Sequence, residues 1–143
     1  MTEFSKDLLR QKLVQCAEAL SLLTQTREIG TVEYFRKNPD VYHAVCYRFV
    51  TGIEALFDIG QIILASRGLH ATSERDIGAL LAREKVIPDD LASRLTSMYG
   101  FRNRLVHAYG TLDDAKVAEF LAKNLDDMAT LLSVAKKALA DND

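Results

Sequence analysis

The chain has 143 residues, 48% of them hydrophobic, with two prolines, seven glycines and a formal net charge of -2. This length and apolar content suit one domain spanning residues 1–143, and the shortage of helix breakers favours an all-α fold. A slightly acidic chain has no whole-surface attraction for nucleic acid, so any polyanionic ligand would need a local basic site.

Two helices are predicted in the N-terminal half. Apolar residues recur at helical spacing from Leu8 to Leu23 and predict an amphipathic helix over about residues 5–27, ended by Gly30. The following segment, GTVEYFRKNPD, is predicted to be a linker, with Asp40 placed to cap a second helix that stops near Gly68. Because this second helix is apolar around most of its circumference, we expect it to be the central, most buried element.

The second helix also carries a polar stripe. Arg48, Thr51 and Asp58 are spaced i, i+3 and i+10, and Glu54 lies one turn before Asp58. Such a stripe is either an exposed edge held by salt bridges or one wall of a functional cleft. The spacing alone does not decide between the two.

Three more helices are predicted in the C-terminal half. Ser73 can cap a short third helix, ERDIGALLAREKV, ended by Pro88, which can equally open the fourth. The fourth helix is capped by Gly110, and Thr111 with Asp114 resembles the capping box of a long fifth helix. The apolar stripes of these last two helices are Leu91, Leu95, Met98, Phe101, Leu105 and Ala108, then Val117, Phe120, Leu121, Leu125, Met128 and Leu132.

Export and membrane insertion are not expected. The N-terminal segment MTEFSKDLLRQKL lacks the hydrophobic region of a signal peptide, and no apolar run approaches the roughly 20 residues that span a bilayer. Cys16 and Cys46 fall in apolar helical patterns, and two cysteines do not make a disulfide framework at this size. These features predict a reduced, cytoplasmic protein with no membrane partner.

The end of the fourth helix is basic. Residues 92–111 contain no Asp or Glu, but they include Arg94, Arg102, Arg104 and His107. At about 100° per residue, Arg102 and His107 point about 140° apart, so one regular helix does not aim both at a single point. Either the helix unwinds near its end, or a second copy of the chain supplies the missing groups across a two-fold axis.

The basic stretch contains the groups that phosphodiester cleavage without a metal requires. An imidazole can move protons, and a guanidinium can neutralise the phosphate. The more common role of a lone histidine at a helix end, as a cap or a solvated side chain, stays open for His107. The three histidines are scattered, and glycine-rich phosphate loops and nucleophile elbows are missing, so we expect no metal and no cofactor.

The run RNRLVHAY, from Arg102 to Tyr109, resembles the Arg-x-x-x-x-His-x-Tyr signature of HEPN-domain toxins, specifically the HepT-like group paired with minimal nucleotidyltransferase antitoxins. The chain length, the five-helix plan and the polar stripe also match, so the resemblance covers essentially the whole chain. It implies a five-helix HEPN-like bundle that forms a homodimer, with Arg102 and His107 of both copies facing a shared cleft.

The resemblance further implies the toxin of a toxin-antitoxin system, acting as a metal-independent endoribonuclease on RNA, with transfer RNA among the candidate substrates. His107 would assist attack by the 2'-hydroxyl, Arg102 would stabilise the transition state, and Tyr109 would be adenylylated by the antitoxin. The residues that it assigns to substrate binding or support are Asn103, Arg104, Arg48, Glu54 and Asp58. The alternative is a non-catalytic helical module that binds a partner or a nucleotide through the same basic groove.

Overall fold

The computed structural model describes residues 1–107 and 113–142, and these ranges contain helices but no strand. In chain order the helices are α1 (Glu3–Thr26), α2 (Val32–Lys37), α3 (Pro39–Ser66), a 3-10 turn (Glu74–Asp76), α4 (Ile77–Arg83), α5 (Asp89–His107), α6 (Asp114–Lys123) and α7 (Leu125–Asp141). The predicted all-α class is confirmed. The predicted count of five is too low, because the described ranges alone contain seven α-helices.

Helix α3 is the centre of the fold, as its composition predicts. It packs against α1, α2, α4, α5 and α7, and its buried residues are Val45, Cys46, Phe49, Gly52, Ile53, Ala55, Leu56, Phe57, Ile59, Gly60, Ile63 and Leu64. By length and composition α3 could also cross a membrane, but 56% of its most apolar window is buried inside the fold. The apolar surface of α3 is therefore largely buried in the protein core.

The segment between the first two predicted helices is not a simple linker, because it contains α2. Thr31 caps this short helix, with its side-chain oxygen accepting the Tyr34 N–H at 3.1 Å. Helix α3 then begins at Pro39, so Asp40 lies in its first turn and the predicted Asp40 cap is wrong. Proline suits the first helical position because its φ is already helical and its missing N–H is not needed there.

The boundaries around the third predicted helix are partly as expected. Helix α3 ends at Ser66, and Gly68 follows with a φ of 74°, a left-handed conformation that favours glycine. Ser73 accepts the Arg75 N–H at 3.1 Å, so it caps the 3-10 turn that leads into α4. Helix α4 ends at Arg83, before Pro88; the proline instead opens α5, where its carbonyl oxygen accepts the Ala92 N–H at 3.1 Å.

The predicted long fifth helix is divided into α6 and α7 at Asn124. Asp113 caps α6 by accepting the N–H groups of Ala115 and Lys116 at 3.0 and 3.3 Å. Asp114 is the first residue of α6, so it does not hold the position that the predicted capping box requires. Three residues with predicted roles here lie outside the described residues: Ala108 of the apolar stripe, Gly110 as a helix cap and Thr111 of the capping box.

Both cysteines are free thiols in the core, as their apolar patterns predict. Cys16 lies on α1 and Cys46 on α3. Burial raises the pKa of Cys16 to about 12 and also raises the pKa of Cys46, because a thiolate is poorly solvated inside the fold. Since the thiolate is the reactive form, neither cysteine suits a role as a nucleophile.

Candidate active site

Arg102 is held by three elements of the fold. Helix α5 turns its apolar stripe toward the core, with Leu91, Leu95, Met98, Phe101 and Leu105 all buried as predicted. Arg102 lies at the edge of that stripe, and only 13% of its side chain is exposed. Its Nη1 atom lies 3.5 Å from Oε1 of Glu54 on α3, and its Nη2 atom contacts Oε2 of Glu74 on the 3-10 turn.

Aromatic packing fixes the backbone around this arginine. The ring of Phe101 stacks on that of Phe120 in α6, with centroids 3.9 Å apart, and meets the ring of Phe49 edge-on at 5.1 Å. Tyr99 packs edge-on against Phe57 of α3, and its own ring lies 5.4 Å from the Arg102 guanidinium carbon. Arg102 is therefore presented from a segment whose residues on its N-terminal side pack in the core.

The guanidinium is not fully satisfied by these contacts. The Nε atom of Arg102 is buried and donates no hydrogen bond within the described residues. An arginine side chain carries five N–H donors in a rigid fork. The Nε–H donor therefore lacks an acceptor in this arrangement of the described side chains.

His107 lies in a different setting, at the last residue of α5, where its side chain is exposed. Within residues 1–107 and 113–142, neither His107 nor the exposed Arg104 has a recorded ion pair or hydrogen bond. Asn103, directly before Arg104, is half-buried. Because α5 is helical throughout Arg102 to His107, the expected divergence of about 140° between these two side chains holds in one copy of the chain.

The polar stripe of α3 borders a groove between α1 and α3. The groove has a volume of about 290 Å³, and its lining includes Arg48, Thr51, Glu54 and Asp58 together with Lys12 of α1. The Asp58 carboxylate pairs with Lys12 at 2.9 Å, whereas Glu54 pairs with Arg102. Asp58 therefore fits the interpretation of a salt-bridged edge, whereas Glu54 contacts Arg102. That the stripe forms one wall of a functional cleft stays a prediction.

Arg48 does not reach the Arg102 cluster through any recorded contact. Its guanidinium carbon lies 5.5 Å from the ring of its neighbour Tyr47, which is 61% exposed. Arg48 also borders a second groove between α1 and the start of α3. Of the four stripe residues, the structure thus joins only Glu54 directly to Arg102.

Glu74 is a site residue that the sequence analysis missed. It lies 28 positions before Arg102, in a three-residue turn with no hydrophobic periodicity. An acidic residue directly after a capping serine is ordinarily a favourable helix-start residue, so the pattern carries no functional signal. Only the packing of the 3-10 turn against α5 brings the two side chains together.

The chemistry of the cluster is that of a preoriented cation. Arg102 is flanked by two carboxylates, so the three side chains carry a net charge of about -1 when all are ionised. A planar guanidinium in this orientation can neutralise a phosphate oxygen, and an exposed imidazole can transfer a proton. No group of three or more His, Cys, Asp or Glu suited to a metal ion occurs within the described ranges.

The fold and the site together define a class of protein: a helical bundle that presents an Arg-x-x-x-x-His pair along one helix. The model of the family described as "Ribonuclease HepT-like" matches residues 16–135, most of the chain. The chain therefore belongs to the HepT-like ribonuclease family, and the resemblance to HEPN-domain toxins seen in the sequence is confirmed.

Individual relatives agree with this assignment. A protein of Archaeoglobus fulgidus named "Putative RNase" is 27% identical over 96 residues, which are 67% of this chain and 70% of that protein. Among solved structures, one chain from the complex of the tri-AMPylated Shewanella oneidensis HEPN toxin with MNT antitoxin has a TM-score of 0.82 and 24% identity. That match covers 96% of this chain and 99% of the other.

A second solved structure gives the same fold. One chain from a mutant MntA–HpeT toxin-antitoxin has a TM-score of 0.81 and 25% identity, covering 92% of this chain and 98% of the other. Since both matches span nearly the full length of both chains, the described helices form a HEPN-like fold.

Proposed function

We propose that this chain is the toxin of a toxin-antitoxin system and acts in the cytoplasm as a metal-independent endoribonuclease, with transfer RNA among its candidate substrates. The observation that carries the proposal is the preoriented Arg102, five residues before an exposed His107 on the same helix. Membership of the HepT-like ribonuclease family supports the reaction class.

In the proposed reaction, His107 takes the proton of a ribose 2'-hydroxyl. The 2'-oxygen attacks the adjacent phosphorus, the bond from phosphorus to the 5'-oxygen breaks, and the leaving oxygen takes up a proton. The products are a 2',3'-cyclic phosphate and a free 5'-hydroxyl. Arg102 neutralises the charge that builds on the phosphoryl oxygens, and its fixed orientation lowers the reorganisation needed during the step.

The proposed active form is a homodimer. The angle of about 140° between Arg102 and His107 on a regular helix argues that each site combines groups from two copies. A stable dimer is expected to bury more than about 1,000 Å². Light scattering at micromolar concentration should therefore report a dimer, and a monomer at that concentration would contradict the shared site.

The proposed partner is a minimal nucleotidyltransferase antitoxin that modifies Tyr109. Tyr109 lies outside the described residues, so the support is its place in the RNRLVHAY motif and the AMPylated, MNT-bound toxin among the structural neighbours. Transfer of an adenylyl group from ATP to the phenolic oxygen would release diphosphate and add roughly one negative charge. That charge would compete with substrate phosphate for Arg102 and Arg104.

Peptide mass spectrometry of the co-expressed pair tests this part of the proposal. The expected result is one or more adenylyl increments on Tyr109 and loss of nuclease activity, with Tyr109→Phe as the unmodified control. Increments on another residue, or adenylylated protein that cleaves at the full rate, would overturn the proposed regulation.

Cleavage assays test the nuclease itself. RNA end sequencing after expression of the chain alone would identify the target, and a purified cleavage assay would follow on that RNA. Activity should survive a chelator and disappear when the nucleotide at the scissile bond lacks its 2'-hydroxyl. Loss of cleavage with the chelator, or undiminished cleavage of the deoxy-substituted RNA, would contradict the mechanism.

A further inference from the structure

Glu74 contacts the guanidinium nitrogen of Arg102 that belongs to both of its hydrogen-bonding edges. A guanidinium offers two forked edges for a bidentate acceptor, Nε with Nη2 and Nη1 with Nη2. The Nη2 atom belongs to both edges, and Glu74 contacts Nη2. While that contact lasts, neither fork is free for a phosphate.

The contacts of the other two guanidinium nitrogens support the same conclusion. Glu54 contacts Nη1, and Nε has no hydrogen-bond partner among the described residues. Because Nε is buried in the present arrangement, an acceptor could take Nη2 and Nε together only after Glu74 has left, while Glu54 kept Nη1. Each of the three guanidinium nitrogens would then have an acceptor, whereas the contacts present in the described ranges leave Nε without one.

The two carboxylates differ in how firmly their backbones are held. Glu54 lies in the middle of α3, the central helix, whereas Glu74 is the first residue of a three-residue 3-10 turn. The two side chains are similarly exposed, at 50% for Glu74 and 47% for Glu54, so the difference lies in the backbone. Because its short turn is not part of the central helix, Glu74 is the carboxylate whose backbone can shift with less disturbance of the core.

We propose that the Glu74 carboxylate occupies the phosphate-binding position of Arg102 and is displaced when the scissile phosphate binds, while Glu54 remains and keeps the guanidinium oriented. This inference rests on the proposed nuclease function and names a residue that controls its substrate binding. Charge balance supports the exchange. If Glu74 stayed, the incoming phosphate would face two carboxylates beside one cation, and like charges at this distance repel.

The inference predicts separate effects on binding and turnover. Glu74 competes with the substrate, so its removal strengthens binding and leaves the bound complex unchanged. Glu74→Gln is the informative variant, because the amide keeps the size of the side chain and removes its charge. Asp76→Asn is the matched control, since Asp76 is an exposed acid in the same turn with no recorded contact to Arg102.

Steady-state kinetics on a short RNA substrate provide the first test. Glu74→Gln should lower KM about fivefold with kcat within about twofold of the parent, whereas Asp76→Asn should change neither by more than about twofold. A raised KM or a tenfold fall in kcat in Glu74→Gln would show that Glu74 only positions Arg102. An equal fall in KM in both variants would assign the effect to overall charge. Either result, or an unchanged KM in Glu74→Gln, overturns the inference.

Titration with inorganic phosphate, followed through the Arg102 Nε–H resonance in the full-length protein, separates this inference from the nuclease proposal. The resonance is assigned by its loss in Arg102→Lys. We expect phosphate to shift it at about fivefold lower concentration in Glu74→Gln than in the parent or in Asp76→Asn. If the parent failed to cleave RNA but the titration gave this result, the nuclease proposal would fail and the role of Glu74 would stand. If the parent cleaved RNA but the phosphate titrations of Glu74→Gln and the parent were equal, the role proposed for Glu74 would be rejected and the nuclease proposal would stand.

Discussion

Arg102 and His107 belong to the same helix and the same short motif, yet their surroundings are opposite. Arg102 is 13% exposed, contacts side chains from α3 and the 3-10 turn, and has a core-packed neighbour on its N-terminal side. His107 is exposed at the last residue of α5 and has no recorded partner within the described ranges. One half of the motif is preorganised by the fold, and the other half is not.

The difference shows that the two residues of one motif meet different requirements, a fixed orientation for Arg102 and access to the substrate for His107. An electrostatic group acts best when its orientation is fixed before the reaction, because no reorganisation is then needed. A proton-transfer group must reach the substrate, which favours an exposed position. The fold fixes the orientation of Arg102. A second copy of the chain is the proposed source of the arginine that acts together with His107.

The largest expected effect of a single change is at His107, which is exposed among the residues that the structure describes. His107→Ala should lower turnover by about 10²–10⁴-fold, the range for loss of a general acid-base group, while the melting temperature stays within experimental error. Cleavage rates and thermal melts on the same preparation measure both. Retained turnover in His107→Ala would remove His107 from the reaction. Absence of cleavage by the parent protein, with RNA binding unchanged in His107→Ala, would instead favour the non-catalytic binding module.

A somewhat smaller loss is expected at Arg102. Arg102→Lys should lower turnover about 10²–10³-fold, because an ammonium keeps the charge but cannot reproduce the planar fork. Arg94→Lys is the matched control on the same helix, since Arg94 is 52% exposed and pairs with Asp127 of α7 instead of contacting the Arg102 cluster. Its rate should change less than about threefold. Equal losses in the two variants would mean that the preorganised position of Arg102 has no catalytic value.

Mixing two inactive variants tests whether the two halves of the motif come from different copies. Arg102→Ala and His107→Ala chains, refolded together in equal amounts, would form mixed dimers as half of the population. If each site pairs Arg102 of one copy with His107 of the other, each mixed dimer keeps one intact site, and about a quarter of the parent activity returns. If each site is built within one copy, the mixture stays inactive.

The smallest expected effects distinguish Glu54 from Asp58 on the same stripe of α3. Glu54→Gln should lower kcat about tenfold, because a contact that orients Arg102 is weakened. Asp58→Asn should leave kcat within about twofold and lower the free energy of unfolding by no more than about 1 kcal/mol, since its pair with Lys12 is partly exposed. Similar rate losses in the two variants would place the α1–α3 groove within the reaction site.

Regular apolar periodicity accounts for the parts of the fold that the sequence predicted well. The all-round apolar character of α3 and the stripe of α5 both translate directly into burial. Helix α2 escaped prediction because six residues are too few to show a period. The break at Asn124 escaped because the apolar spacing continues through it from Phe120 to Met128, with neither proline nor glycine to mark an end.

The candidate site was predictable only where its residues follow one another on a helix. The motif from Arg102 onward and the stripe position of Glu54 are both local patterns. The partner Glu74 depends on how a three-residue turn packs against α5, and no spacing rule connects positions 28 residues apart. The angle of about 140° between Arg102 and His107 was also predictable from helical geometry, because α5 is helical through both residues.

The aromatic stack of Phe101 on Phe120 ties the segment that bears Arg102 to α6, and the edge contact with Phe49 ties it to α3. We therefore expect the amide protons of this segment to exchange more slowly than those at the ends of the helices, and the orientation of Arg102 to survive local opening elsewhere in the fold. Under the proposed toxin function, local melting of this part of α5 would be an unfavourable way to silence the protein, and obstruction of the site is the expected form of control.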